Sequence, residues 1–230
     1  MTFLEIVQAL RVEVDAAGAT LSSVEPANIS TEDSRLKGWA NRAWRDIQLM
    51  HGGQWKFMRR PFGPIVLVAG QWDYNPTAAP FSISNLRELN LESLRLYQTG
   101  DYGTEYEPNF IDYEVFKRQY RFGSMRTTTG NPVVFSVDPA RHIVFGPVPI
   151  AGYSCEGEYW ATPADMTLDA DVPAMPAEYH MLIVYRAMLS DAEYDWNAEQ
   201  KGRAVREHRR MMAEMELTEL PTSGMYFTLA

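Results

Sequence analysis

The sequence predicts an α+β chain: a helical bundle formed by N- and C-terminal helices, an inserted antiparallel β domain, and an extended C-terminal arm. Two observations predict it. Apolar residues recur at helical spacing near both ends of the chain. Between them, prolines punctuate short β-prone runs. Amphipathic helices at both ends must bury their apolar faces, and one bundle shared by both ends is the economical solution. The expected division is 1–57 with 172–217 for the bundle, 58–171 for the β-rich insertion and 218–230 for the arm.

Thr2-Phe3-Leu4-Glu5 is a capping-box pattern, followed by Leu4, Val7, Leu10 and Val14 at helical spacing, with Gly18 as the expected stop. Ser30 or Thr31 caps a second helix, in which Leu36, Ala40, Ala43, Ile47 and Met50 recur in steps of four and three. Trp39 and Trp44 widen that stripe, and Gly52-Gly53 ends it.

Pro61, Pro64, Pro76 and Pro80 then separate expected strands at Ile65–Val68, Phe81–Ile83 and Glu88–Tyr97, with a bulge near Glu92-Ser93 where the leucine alternation breaks. Asp112 is placed to cap a short helix through Phe116 and Tyr120, and 123–131 reads as a polar loop. Strands are expected at Val133–Val137, His142–Phe145 and Tyr153–Tyr159, with a hairpin turn at Asp138–Arg141. Pro173 and Pro176 precede a helix from Ala177 to Asp195, with Leu182, Arg186, Leu189, Glu193 and Trp196 as its line of contacts. A more polar helix runs from Ala198 to Leu217, and Pro221 stops it.

Composition narrows the function. Hydrophobic residues make up 46% of the 230, with six Trp, twelve Tyr and ten Phe, enough core material to exclude a disordered chain. No apolar run reaches the roughly 18–20 residues that cross a bilayer, so no membrane partner is expected. The first residues do not read as a signal peptide. Cys155 is the single cysteine, which leaves no intrachain disulfide framework and suits a reducing cytoplasm as the place of assembly. The net charge of −9 argues against general electrostatic binding of nucleic acid. Four of the 21 basic residues are Lys, so 17 are Arg, a side chain that tolerates partial burial at protein interfaces.

Chemistry-bearing patterns are absent. No Gly-rich segment has a phosphate-loop form. His51, His142, His180 and His208 have no helix-spaced His partner. Asp165, Asp169 and Asp171 lack the Gly and terminal Glu of a calcium loop and read as a solvated acidic loop capping the next helix. Ser22, Ser82, Ser154 and Ser190 lack a nucleophile elbow, and Cys155 reads as a core residue. No catalytic residue, metal or cofactor is expected, and the chain is not expected to be an enzyme.

Two basic segments and the C-terminus stand out. Arg118, Arg121 and Arg126 alternate with Tyr120 and Phe122, a composition able to stack on and pair with nucleic acid. Arg203, Arg206 and Arg210, beside Lys201 and Arg209, share one helix face suited to a subunit or partner contact. Tyr226, Phe227 and Leu229 end a polar spacer, and leaving them in water forgoes roughly 1.5–3 kcal/mol for each large side chain. Such a tail either folds back on its own domain or docks into a neighbour.

Three segments carry a family resemblance. Leu36 to Gln54, with Trp39-Ala40-Asn41-Arg42-Ala43-Trp44-Arg45-Asp46-Ile47-Gln48 and then Trp55, resembles the N-terminal signature of the tailed-bacteriophage head-to-tail adaptor (connector) proteins. Gly130-Asn131-Pro132 and Ile143-Val144-Phe145-Gly146-Pro147-Val148-Pro149 resemble that family's β-domain signature, and Pro173 to Met188 its lead into the C-terminal helices. The likeness extends loosely to tail tube and gatekeeper proteins, and 98–128 has no clear counterpart.

The resemblance implies a structural protein of the virion neck, assembled in the host cytoplasm: a homo-dodecameric ring below the portal that extends the DNA channel and presents a platform for tail or nozzle proteins. Genomic DNA would pass through it without sequence-specific binding, which its acidity suits. The resemblance also implies that the arm, with Tyr226, Phe227 and Leu229, reaches the portal protein. Arg203, Arg206 and Arg210 would serve subunit or portal contacts. The competing readings are a β-rich carbohydrate-recognition module, suggested by the Trp and Tyr content, and a DNA-binding protein using 118–126.

Overall fold

The computed structural model describes residues 1–15, 20–25, 30–194 and 198–221. It has the expected α+β architecture: one unit combines Met1–Met58 with Pro163–Ala230, and a β-rich insertion, Arg59–Thr162, forms the other. Its helices are α1 (Phe3–Glu13), α2 (Thr31–Leu49), α3 (Tyr113–Tyr120), α4 (Met181–Tyr194) and α5 (Ala198–Glu219). Its strands are β1 (Arg59–Val66), β2 (Asp73–Tyr74), β3 (Leu86–Leu89), β4 (Arg95–Gln98), β5 (Asp101–Tyr106) and β6 (Asn109–Phe110). There follow β7 (Thr129–Gly130), β8 (Val134–Val137), β9 (Ile143–Gly146), β10 (Val148–Pro149) and β11 (Tyr153–Ala161).

In the helical unit, the capping box closes α1: the Thr2 hydroxyl accepts from the Glu5 amide and the Glu5 carboxylate accepts from the Thr2 amide. Phe3, Ile6, Val7 and Leu10 are its buried face. Two further amides at its start donate to the chain's returning segment, Phe3 to the Asp171 carbonyl at 2.7 Å and Leu4 to the Asp169 carbonyl at 3.3 Å. The acidic loop therefore caps a helix, but that helix is α1 from the other end of the chain. Its side chains are occupied too. Asp169 accepts from Ser23 Oγ and the Val24 amide. Asp171 accepts from the Leu168 and Thr167 amides, which hold its carboxyl below the usual range.

Ser30 caps α2, which buries Leu36, Ala40, Ala43, Trp44 and Ile47. The helix ends at Leu49, and a 3₁₀ turn at Met50–Gly53 carries His51 and Gly52 through positive φ. Trp55 folds back and donates its indole N–H to the Ile47 carbonyl at 2.7 Å, a second donor there beside the Met50 amide, which the Ile47 carbonyl shares with that of Asp46. The Trp55 and Trp44 rings both stack on Phe57.

The helix expected from Ala177 starts as a 3₁₀ turn at Ala177–Tyr179, and α4 follows from Met181. α4 packs against α1, α2 and α5. Being surrounded, it buries Leu182, Ile183, Val184, Ala187 and Met188, a wider face than the expected line of contacts. Arg186, on that line, pairs instead with Asp46 of α2 at 2.8 Å. α5 buries Ala204, Met211, Met212 and Met215. Gly18, Trp196 and the arm residues Tyr226, Phe227 and Leu229 lie outside the described residues.

In the β-rich unit, β11 is the spine of a five-stranded antiparallel sheet. β1 runs along one of its edges, and β4 and β3 share the other: β4 pairs with Tyr153–Glu156 and β3 with Tyr159–Ala161. The run Glu88–Tyr97 is therefore two strands, and the leucine break marks a turn at Asn90–Ser93, where the expected bulge would have been. A bulge does occur in β1, between Phe62 and Ile65. Gly63 sits in it at φ +96°, and a Cβ there would lie 2.7 Å from the Cys155 carbonyl oxygen. Pro61 and Pro64 are tolerated because β1 is an edge strand. Phe81–Ile83 is not a strand. Its Phe81 and Ile83 are buried from a turn in which Ser82 has φ +54°.

A second sheet has the order β2-β9-β8-β6, with β8 and β9 forming the hairpin expected around Asp138–Arg141. Two short pairs, β6 with β8 and β7 with β10, are parallel. Asp112 caps α3, whose Phe116 is buried. Gly146 lies under this helix, and a Cβ there would meet the Tyr120 ring at 2.8 Å and Phe116 at 3.0 Å.

Candidate assembly surfaces

Three polar residues of the Trp39–Gln48 segment tie α2 to residues 164–166, where the chain re-enters the helical unit. Asn41, Arg45 and Gln48 follow one another at steps of four and three, so they form a row along α2. Asn41 donates to the Met166 carbonyl at 2.9 Å and accepts from the Met166 amide at 3.0 Å. Gln48 does the same with Ala164, at 3.1 and 3.0 Å. Between them, Arg45 makes a two-pronged ion pair with Asp165, at 2.6 and 3.1 Å. Nothing in the residue types singled this row out, since its partners lie some 120 positions away in sequence. Its spacing on a helix was the available signal.

The β-domain signature is also one local arrangement. Thr129-Gly130 pairs with Val148-Pro149, and the Val133 amide donates to the Gly146 carbonyl at 3.0 Å.

On α5, Arg203, Arg206 and Arg210 are all exposed, on the side opposite the buried Ala204, Met211 and Met215. Their charges are not equally available. Arg203 pairs with Glu13 at the end of α1. Arg210 lies 3.2 Å from Glu207 and 3.0 Å from Glu214 of its own helix, and these carboxylates raise its pKa. Arg206 has no ion-pair partner among the described residues.

In the β-rich unit the basic 118–126 segment divides in the same way. Arg121 lies 3.4 Å over the Trp72 ring, and burial there lowers its pKa. Lys117, Arg118 and Arg126 are exposed and have no carboxylate partner among the described residues. The segment leads into residues 122–129, all exposed, which carry Phe122 (58% exposed) and Met125 (37%). The segment expected to be a polar loop thus contains a 3₁₀ turn at Gly123–Arg126 and the short strand β7.

Two other features of that unit are structural. Asp73, Asp138 and His142 converge, with His142 Nδ1 2.7 Å from Asp73 and the His142 amide donating to Asp138 at 2.8 Å. These bonds tie the β8–β9 turn to β2. Cys155 is fully buried on β11, and burial raises its thiol pKa far above the usual range, so the reactive thiolate is suppressed.

The family model described as SU10 adaptor protein matches residues 1–225. The chain belongs to that family. It is a phage adaptor, and its role is structural. No curated protein matches it. As an adaptor it is a component of the virion and works through portal and tail components. No helix among the described residues is long and apolar enough to cross a membrane.

Proposed function

We propose that this chain is one subunit of a dodecameric ring in the virion neck, below the portal, which extends the DNA channel and carries the tail or nozzle. The observation that carries this reading is the match to an adaptor family along nearly the whole chain. A ring needs two unlike faces on each subunit, because its contacts run head to tail. The exposed 117–129 segment of the β-rich unit offers one such face. The acidic balance, −9, keeps a channel wall from holding the passing genome by counterion release. Assembly takes place in the host cytoplasm, with no membrane partner.

In this reading the helical unit is the bundle domain, Arg59–Thr162 the β-rich domain, and the residues after α5, with Tyr226, Phe227 and Leu229, the portal-docking arm. Repeated around a ring, a modest arm contact gains avidity. Deleting 222–230, which leaves α5 and the Thr218 bonds to Lys56 and Tyr179 in place, should keep the thermal transition and abolish capture by immobilised portal. Capture at wild-type strength by the truncated chain would remove the arm from the mechanism. Images of purified virion necks that lack this protein would remove the ring reading altogether.

A further inference from the structure

We propose that the ring contact is made by the 117–129 segment of one copy on the acidic β4–β5 edge of the next. This rests on the ring reading and names the surfaces that close it. The donor surface combines Lys117, Arg118 and Arg126, which have no ion-pair partner among the described residues, with the exposed Phe122 and Met125.

The acceptor surface is its complement. β5 is the outer strand of the five-stranded sheet, and Asp101 at its start, Glu105 near its end and Glu107 just after it are exposed. One guanidinium, Arg95, serves both Glu105 at 3.8 Å and Glu107 at 3.2 Å. Asp101, Glu92 and Glu156 have no cation partner among the described residues. Tyr102 stands among these carboxylates, 66% exposed, its ring 4.9 Å from that of Tyr97.

No ion pair joins the basic segment to this edge within one chain, among the described residues, although both belong to the β-rich unit. Each surface carries an excess of charge of one sign beside exposed aromatic side chains, so a second copy satisfies both at once. Such pairing also sets the order of contact, because basic on basic or acidic on acidic is repelled. Charged side chains on an edge strand oppose open-ended strand addition, so the contact is one of side chains.

Duplex DNA fits the basic segment less well. It offers no free base face for Phe122, and three cations flanked by Asp112 and Glu114 make a small phosphate footprint.

The test is reciprocal charge reversal in the full chain, read as copies per purified virion. Arg118→Glu with Arg126→Glu, and separately Glu105→Lys with Glu107→Lys, should each lower the copy number about tenfold or more. The chain carrying all four changes should recover it. Circular dichroism checks that each variant folds. Asp101→Lys with Tyr102→Ala is a second acidic-edge variant that leaves the Arg95 pairs intact, and the same loss is expected of it. Unchanged copy number in the basic and acidic variants, or no recovery in the fourfold variant, overturns the pairing while the wild-type ring stands. A wild-type neck holding a single copy overturns the ring reading and this contact with it. Loss of salt-sensitive DNA retention in the basic variant, with copy number unchanged, assigns the segment to DNA and overturns the proposal.

Discussion

His208 lies half-buried on α5, beside Leu189 of α4 and the Met212, Arg209 and Glu216 side chains of its own helix. Its Nε2 is buried without a hydrogen-bond partner among the described residues. Burial, and then the charge of Arg186, lowers its pKa below the ordinary 6.5. The same sign holds for His180, which is buried and hydrogen-bonded through Nε2 to the Met175 carbonyl. For both, the unfolded chain binds a proton more readily than the folded one. Their contribution to stability is complete above about pH 6.5 and is lost as pH falls through the lower folded value. Urea midpoints should therefore drop between pH 6.5 and 5. His208→Leu should flatten that slope and raise stability at pH 7.5 by roughly 1 kcal/mol, because it removes an unsatisfied buried atom. A slope unchanged in the variant would mean that other groups set the acid sensitivity. The four His were visible in the sequence only as isolated residues, since burial and the nearness of Arg186 follow from packing.

Among the elements, side-chain N-caps were the most legible, whereas α1 ends at Glu13, short of Gly18. The Thr2 box, the Ser30 cap and the Asp112 cap form where the sequence places them, because a cap is satisfied within three residues of itself. Strands were less legible. The segment Glu88–Tyr97 has the composition of one strand, yet both parts need β11, more than 50 residues later, to decide where each begins and ends. Phe81 and Ile83 have the alternation of a strand and serve as core plugs in a turn. Helix α3 is held by shape: Gly146 lets the Tyr120 and Phe116 rings lie against β9. Gly146→Ala should cost about 1–3 kcal/mol by overpacking that contact, measured by denaturant titration. A cost near zero would show that α3 can shift without loss. Because α3 leads directly into the 122–129 loop, the same variant should also reduce ring contacts.

At the scale of the whole molecule, the helical unit is built from two stretches of chain separated by the β-rich insertion. Its closure depends on the row Asn41, Arg45 and Gln48 gripping residues 164–166, and on Asp169 and Asp171 covering the start of α1. Surface charge then divides into cations paired inside the chain and cations without an ion-pair partner among the described residues. Arg203→Glu would set a carboxylate against Glu13 and should lower stability by up to about 1 kcal/mol, the scale of an exposed pair. Arg206→Glu has no such pair to break, so it should leave the thermal transition unchanged and weaken portal or subunit binding. Equal effects of the two substitutions on stability, with none on binding, would count against an assembly role for this face.

The amino-acid order by itself determined the α+β class, the helical ends with a β-rich middle, and the family, because these rest on local periodicity, caps and short signatures. Tertiary structure alone decided which charges are spent. Arg203, Arg206 and Arg210 look alike along the helix, and so do Arg118, Arg121 and Arg126 along their segment. Only folding brings Glu13 to Arg203 and Trp72 to Arg121, leaving Arg206, Arg118 and Arg126 exposed without an ion-pair partner among the described residues. The physical reason is range: a helical repeat acts over a few residues, whereas a charge is neutralised by whatever packing places within a few ångströms of it.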